Sequence, residues 1–144
     1  MKKVLLLILV VILSVVCLAS CNMSPKLSRF IPDEKIISVE IQTMNYETGI
    51  EEITEKYSLT NDQSNKIKIL LNEITYEKRY NLLKEKWTHV NDVKYIFTFE
   101  AQKLVLSENH IFIYDTNDTL IKHVEFNSST AGVYFERIND ILSD

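Results

Sequence analysis

The chain has 144 residues, with 16 Lys and Arg against 20 Asp and Glu and only two glycines, two prolines and two cysteines. That length builds one hydrophobic core and no second one, and the acidic balance gains nothing from the phosphate attraction that drives nucleic-acid binding. Nucleic acid is therefore not an expected partner, and with Gly49 and Gly132 as the sole glycines neither familiar glycine-rich phosphate loop is present.

The first element in the chain is an export signal. Met1 is followed by Lys2 and Lys3 and then by "VLLLILVVILSVVCLA", in which Ser14 is the one polar residue. A cationic start before an apolar run has the layout of an n-region and an h-region. At roughly 16 residues the run is shorter than the ~20 that a spanning helix needs, and Leu18, Ala19 and Ser20 then lead into Cys21.

The residues Leu18-Ala19-Ser20-Cys21 resemble the lipobox of bacterial lipoproteins, an aliphatic residue and two small ones before a cysteine. The resemblance implies a diacylglyceryl group on Cys21, cleavage between Ser20 and Cys21, and anchoring on the extracytoplasmic face of the cell membrane. Cys17 fits the pattern worse because the bulky Val16 precedes it, and it is expected to leave with the signal peptide. The alternative is a plain secretory signal in which both cysteines are ordinary apolar residues. Two acyl chains anchor durably where one is marginal, since each buried methylene contributes about 0.8 kcal/mol. No cysteine follows Cys21, so the exported domain has no internal disulfide, thiol nucleophile or thiolate metal site. Without Lys2 and Lys3 it carries 14 basic residues against 20 acidic ones, a net charge of −6.

Three segments are expected: a signal peptide over 1–20, a lipidated cysteine and linker over 21–34, and one folded domain over 35–144. The linker reading rests on Pro25 and Pro32 among mixed polar residues with no sustained period. In "KIISVEIQTM", Ile37, Val39 and Ile41 alternate with polar residues as in a half-buried strand. "NYETGIEE" supplies a turn at Gly49, and "ITEKYSL" returns with Ile53, Tyr57 and Leu59 on one side, completing a hairpin. Thr60 and Gln63 have capping-box spacing ahead of Ile67, Leu70, Leu71 and Ile74, which predicts a helix over about 61–75.

After a polar connection, "DVKYIFTFE" places Val93, Tyr95, Phe97 and Phe99 on one face of a strand. "KLVLS", "HIFIYD" and "LIKHVEF" predict three more strands joined by short polar turns, and "STAGVYFERINDILSD" predicts a second helix. In that helix Val133 or Tyr134, with Ile138, Ile141 and Leu142, forms the apolar face, and Ser129 or Thr130 is the expected cap. The fold class is α+β: an antiparallel sheet of about six strands, in the order β-β-α-β-β-β-β-α, with two helices packed on it.

No stretch assembles a catalytic or metal site. His89, His110 and His123 lie on different segments, and a metal would need them joined by a carboxylate such as Glu108 or Glu125. Alternation puts His123 with Glu125 on the polar side of its strand, which predicts a solvent-facing histidine. "DTNDT" alternates oxygen ligands as a calcium loop does, but Leu120 stands where such a loop needs glycine, so it reads as a turn. No serine has a nucleophile elbow, no cofactor is expected, and the chain does not read as an enzyme.

Residues 76–95 differ from the rest in combining cations with flat aromatic rings, and Lys78, Arg79, Tyr80, Lys86 and Trp87 form the candidate binding surface. The competing reading has Leu82, Leu83 and Trp87 capping the core while the lysines solvate the connection. Lipobox, short linker and small domain together resemble the uncharacterised lipoproteins of low-GC Gram-positive bacteria. That resemblance implies a location. The function expected is a non-enzymatic binding or interaction module whose partner is a cell-envelope protein, peptide or polymer. The alternatives are an immunity lipoprotein that intercepts a membrane-active peptide or bacteriocin, and a small envelope enzyme or enzyme inhibitor.

Overall fold

The computed structural model describes residues 25–45, 47–79, 93–108, 110–126 and 128–144. Seven strands form one antiparallel sheet: β1 (Ser38–Asn45), β2 (Ile50–Ser58), β3 (Tyr76–Arg79), β4 (Val93–Thr98), β5 (Gln102–Ser107), β6 (His110–Asp115) and β7 (Leu120–Phe126). Their spatial order is β2-β1-β4-β5-β6-β7-β3. Helix α1 (Asn61–Glu73) follows the first hairpin and helix α2 (Ser128–Ser143) follows β7. This is the α+β class read from the sequence, with seven strands instead of six. The extra strand is β3, four residues whose partner β7 lies far along the chain, so no local pattern announces it.

One face of the sheet is apolar from end to end. Val39, Phe97, Leu104, Leu106, Ile111, Val124 and Phe126 are each at most 1% exposed, and the registers place them on the same side. Both helices cover this side. Ile67, Leu70 and Leu71 of α1 and Ile138 of α2 are buried, Phe135 stacks on Tyr95 at 5.1 Å, and the Tyr95 hydroxyl donates to Asn139 at 2.9 Å. Tyr134 rather than Val133 joins the apolar face of α2: it packs on the core, edge-on to Phe126, whereas Val133 is 54% exposed.

The capping box at the start of α1 forms in full. The Gln63 amide donates to the Thr60 hydroxyl oxygen at 3.2 Å, and the Thr60 amide donates to Gln63 Oε1 at 3.1 Å. The helix ends at Glu73, two residues short of the expected 75, because Ile74 turns extended and leads the chain directly into β3. Helix α2 starts at Ser128, one residue before the earlier of its two expected caps.

The segment expected as a linker is largely part of the fold. A short 3-10 turn, Leu27–Arg29, buries Leu27 completely, and the Leu27 amide donates to the Ile74 carbonyl at 2.8 Å. The Tyr76 amide donates to the Pro25 carbonyl at 3.0 Å, and Gln102 Nε2 donates to the Phe30 carbonyl at 2.9 Å. Further along, Lys68 Nζ donates to the Asp33 carbonyl, the Ala101 amide to the Glu34 carboxylate, and the Ile36 amide to the buried Ser64 hydroxyl. Residues 25–36 form a strap that runs along α1 from its end at Ile74 to its first turn at Ser64, so residues 25–34, read as linker, pack on the domain. Mixed composition hid this because a single buried leucine produces no period.

The first hairpin also departs from simple alternation. Its register shifts between Ile41 and Gln42, and the Thr54 hydroxyl donates to the Ile41 carbonyl at 3.1 Å at that irregularity. The shift separates Ile53 from Tyr57: Tyr57 stays opposite Val39, whereas Ile53 comes opposite Gln42 and is 54% exposed. Gly49, at φ +67°, closes the turn as expected. The turn after β6 is likewise as read, with Asp115 Oδ1 accepting from the Asn117 and Thr119 amides.

Replacing the fully buried Leu27 with alanine should cost about 2–5 kcal/mol in urea unfolding, the range for a core leucine. A loss below roughly 0.5 kcal/mol, as at an ordinary surface position, would return the strap to a linker.

Candidate functional site

The second face of the sheet carries the polar half of each strand. Glu40 and Gln42 of β1 stand beside Ile96 and Lys94 of β4, and Val105 and Lys103 of β5 follow, with Tyr114 of β6 opposite Lys103. These side chains, with Glu51, Thr98 and Asp118, line a groove of about 380 Å³, the low end of the range for small-ligand sites. Ile96 and Val105 give it an apolar strip; amide, hydroxyl and charged groups surround them.

Every lysine at this groove is held by a carboxylate. Lys94 pairs with Glu51 and Lys103 with Asp118, and the groove's Glu40 is taken by Lys56 of β2, which does not line the groove. The Lys94 side chain is only 8% exposed, although alternation in β4 marks it as polar. Withdrawing an ammonium from water is costly unless a charge-assisted hydrogen bond replaces the lost hydration, and Glu51 supplies that bond. The Tyr114 hydroxyl has its pKa raised by burial and then by the nearby Asp118 and Glu51 carboxylates. It therefore stays protonated and available as a donor throughout the physiological range. The groove is close to electrically neutral and rich in paired donors and acceptors.

A second cluster lies on this face at β5 to β7. His123 is completely buried, a correction to the solvent-facing histidine expected from alternation. Alternation assigned its face correctly, but Phe112 sits directly opposite and stacks on it at 4.3 Å, and His110 Nδ1 lies 3.1 Å from His123 Nε2. The two rings share one hydrogen bond, which makes one a donor and the other an acceptor. Glu125 is opposite His110 in the ladder. Among the described residues no three His, Cys, Asp or Glu side chains are grouped to hold a metal ion. His89 lies outside the described residues.

The candidate surface read from 76–95 is only partly described. Lys78 and Arg79 end β3 on the sheet edge, Arg79 opposite Val124 and exposed. Tyr80, Lys86 and Trp87 lie outside the described residues, as do Ser20 and Cys21. Two other aromatics of that stretch, Tyr76 and Tyr95, are at most 7% exposed and belong to the covered apolar face. The groove residues were visible in the sequence only as the polar members of alternating strands. Their convergence depends on β1 lying beside β4 and on β2 bringing Glu51 to Lys94, neither of which a single strand encodes. No protein family, curated protein or solved structure matches the chain.

Changing Glu51 to glutamine leaves the nearly buried Lys94 ammonium without its counter-charge, and should cost about 1–3 kcal/mol in denaturant unfolding. The double change Glu51→Met with Lys94→Met should recover most of that loss. Additive losses would mean that the pair contributes nothing as a pair.

Proposed function

We propose that this protein is a lipoprotein anchored through Cys21 on the extracytoplasmic face of the cell membrane, and that it binds a polar ligand without catalysis in the open-face groove. The anchor rests on the cationic start, the apolar run and Leu18-Ala19-Ser20-Cys21. No described helix is long and apolar enough to cross a membrane.

The observation that carries the binding reading is that both groove lysines, Lys94 and Lys103, are paired with carboxylates, and that the groove's Glu40 is paired in turn with Lys56 beside it. A charged ligand would have to break one of these pairs to be held, while uncharged hydroxyl or amide groups bridge a paired donor and acceptor without displacing either. The Ile96 and Val105 strip supplies apolar contact beneath them. The groove therefore favours a ligand of uncharged polar groups, as in a stretch of cell-envelope polymer or a peptide backbone. The same pairings support a binding site over an enzyme, because the acids are engaged with lysines instead of standing ready for proton transfer.

Photo-crosslinking in living cells tests both parts. A crosslinker at Val105, in the groove, should capture one abundant envelope component, while one at the exposed Ile69 of α1 should not. The Cys21→Ala chain should be lost from the membrane fraction. Equal capture from both positions would contradict the groove reading, and unchanged membrane retention would contradict the anchor.

A further inference from the structure

The strap brings the folded domain very close to the anchor. Pro25 is bonded to Tyr76, and Lys26 bridges to Thr75, so the chain is already packed on the domain at a point four residues after Cys21. Four residues of fully extended chain reach at most about 14 Å. On the reading that Cys21 is lipidated, the edge of the domain formed by the first residues of the strap, β3 and β7 is held near the headgroup region.

The charges at this end differ in kind from those at the groove. Lys26 and Arg29 of the strap and Arg79 of β3 are exposed. Lys122 lies over the Phe30 ring at 5.1 Å, and Phe30 in turn packs on Tyr76. Arg79 is opposite Val124, two residues from Lys122 on the same face, so the two cations are neighbours. Burial and then Arg79 push the Lys122 ammonium below its usual pKa. None of Lys26, Arg29, Arg79 and Lys122 is ion-paired among the described residues, although Lys56, Lys94 and Lys103 all are. The carboxylates of these elements are Glu77 on β3, Glu125 at the end of β7, and Asp33 and Glu34 on the strap, and none of them forms an ion pair with these four cations among the described residues. In a chain of net negative charge, this edge thus presents four cations that no ion pair holds among the described residues.

We propose that this end of the domain docks on an anionic phospholipid surface, with Lys26, Arg29, Arg79 and Lys122 taking headgroup phosphates, so that the β2 edge of the sheet stands away from the bilayer. This rests on the anchor reading above. Six strand spacings separate β3 from β2, about 29 Å across the sheet, enough to carry the β1–β2 end of the groove clear of the headgroups. Docking by unpaired lysine and arginine to anionic lipid is short-ranged and screened by salt, so it orients an anchored domain without replacing the anchor.

The test uses the full lipidated chain in vesicles. With Cys17 removed alongside the signal and Cys21 blocked by its lipid, a single introduced cysteine is the sole free thiol. Spin labels are placed at Ser28→Cys in the strap and at Ile53→Cys on β2, in vesicles of phosphatidylcholine alone or mixed with phosphatidylglycerol. Contact is read from relaxation by lipid-dissolved oxygen against an aqueous relaxant. The label at 28 should gain lipid contact in the anionic vesicles and lose it in high salt, while the label at 53 stays aqueous in both. The variant K26Q/R29Q/R79Q/K122Q should lose the gain and keep its vesicle attachment. Equal contact at 28 in the two vesicle types, or lipid contact at 53, would overturn the proposal. A protein mass lacking the diacylglyceryl group would instead remove the anchor reading and, with it, the proposal.

Discussion

One apolar sheet face, running from Val39 through Phe97 and Leu104 to Phe126, has to be hidden from water, and the rest of the molecule is arranged around that need. Two helices cover most of it, and the strap seats Leu27 at the end of α1. With no cysteine after Cys21, no disulfide assists within the folded domain, so its packing and the backbone bonds that close the strap carry its stability. Because both helices lie on one side, the groove half of the other face is left to polar and charged side chains around Ile96 and Val105. A one-sided core is thus the origin of the groove.

The charged residues divide along the sheet. At the groove each lysine is paired with an acid, and the nearly buried Lys94 depends on Glu51 for its solvation. At the strap and β3 edge, Lys26, Arg29, Arg79 and Lys122 have no ion pair among the described residues. The two regions sit toward opposite edges of the same sheet, and the strap joins the second of them to the residue read as the anchor. Edge strand β2 carries Glu51, Glu52, Glu55 and Lys56, charges that oppose pairing with another strand at its free side.

Much of the architecture was legible in the sequence, since strict alternation in β4 and helical spacing in α1 each report a local decision. The capping box at Thr60 and Gln63 was readable for the same reason: both partners lie within four residues. What escaped depended on distant partners. The short strand β3 exists because β7 offers an edge, and the strap exists because Leu27 finds a hollow beside Ile74. Ile53 was assigned to the wrong side because alternation assumes an unbroken register, and the irregularity at Ile41 breaks it. His123 kept its face but not its exposure, since a ring opposite another ring is covered by it. The groove belongs to this second class: its residues come from five strands and a turn, and only the strand order brings them together.

The claim on which all of this turns is that one face of the sheet is sealed by the helices and the strap while the other is open at the groove. Hydroxyl-radical footprinting of the purified protein measures it directly, because oxidation of a side chain follows its contact with water. The account predicts strong protection at Phe97, Leu104, Ile111 and Leu27, and ready modification at Ile53 and Tyr114 on the groove side. Protection of Tyr114 equal to that of Phe97, or ready oxidation of Leu27, would contradict it.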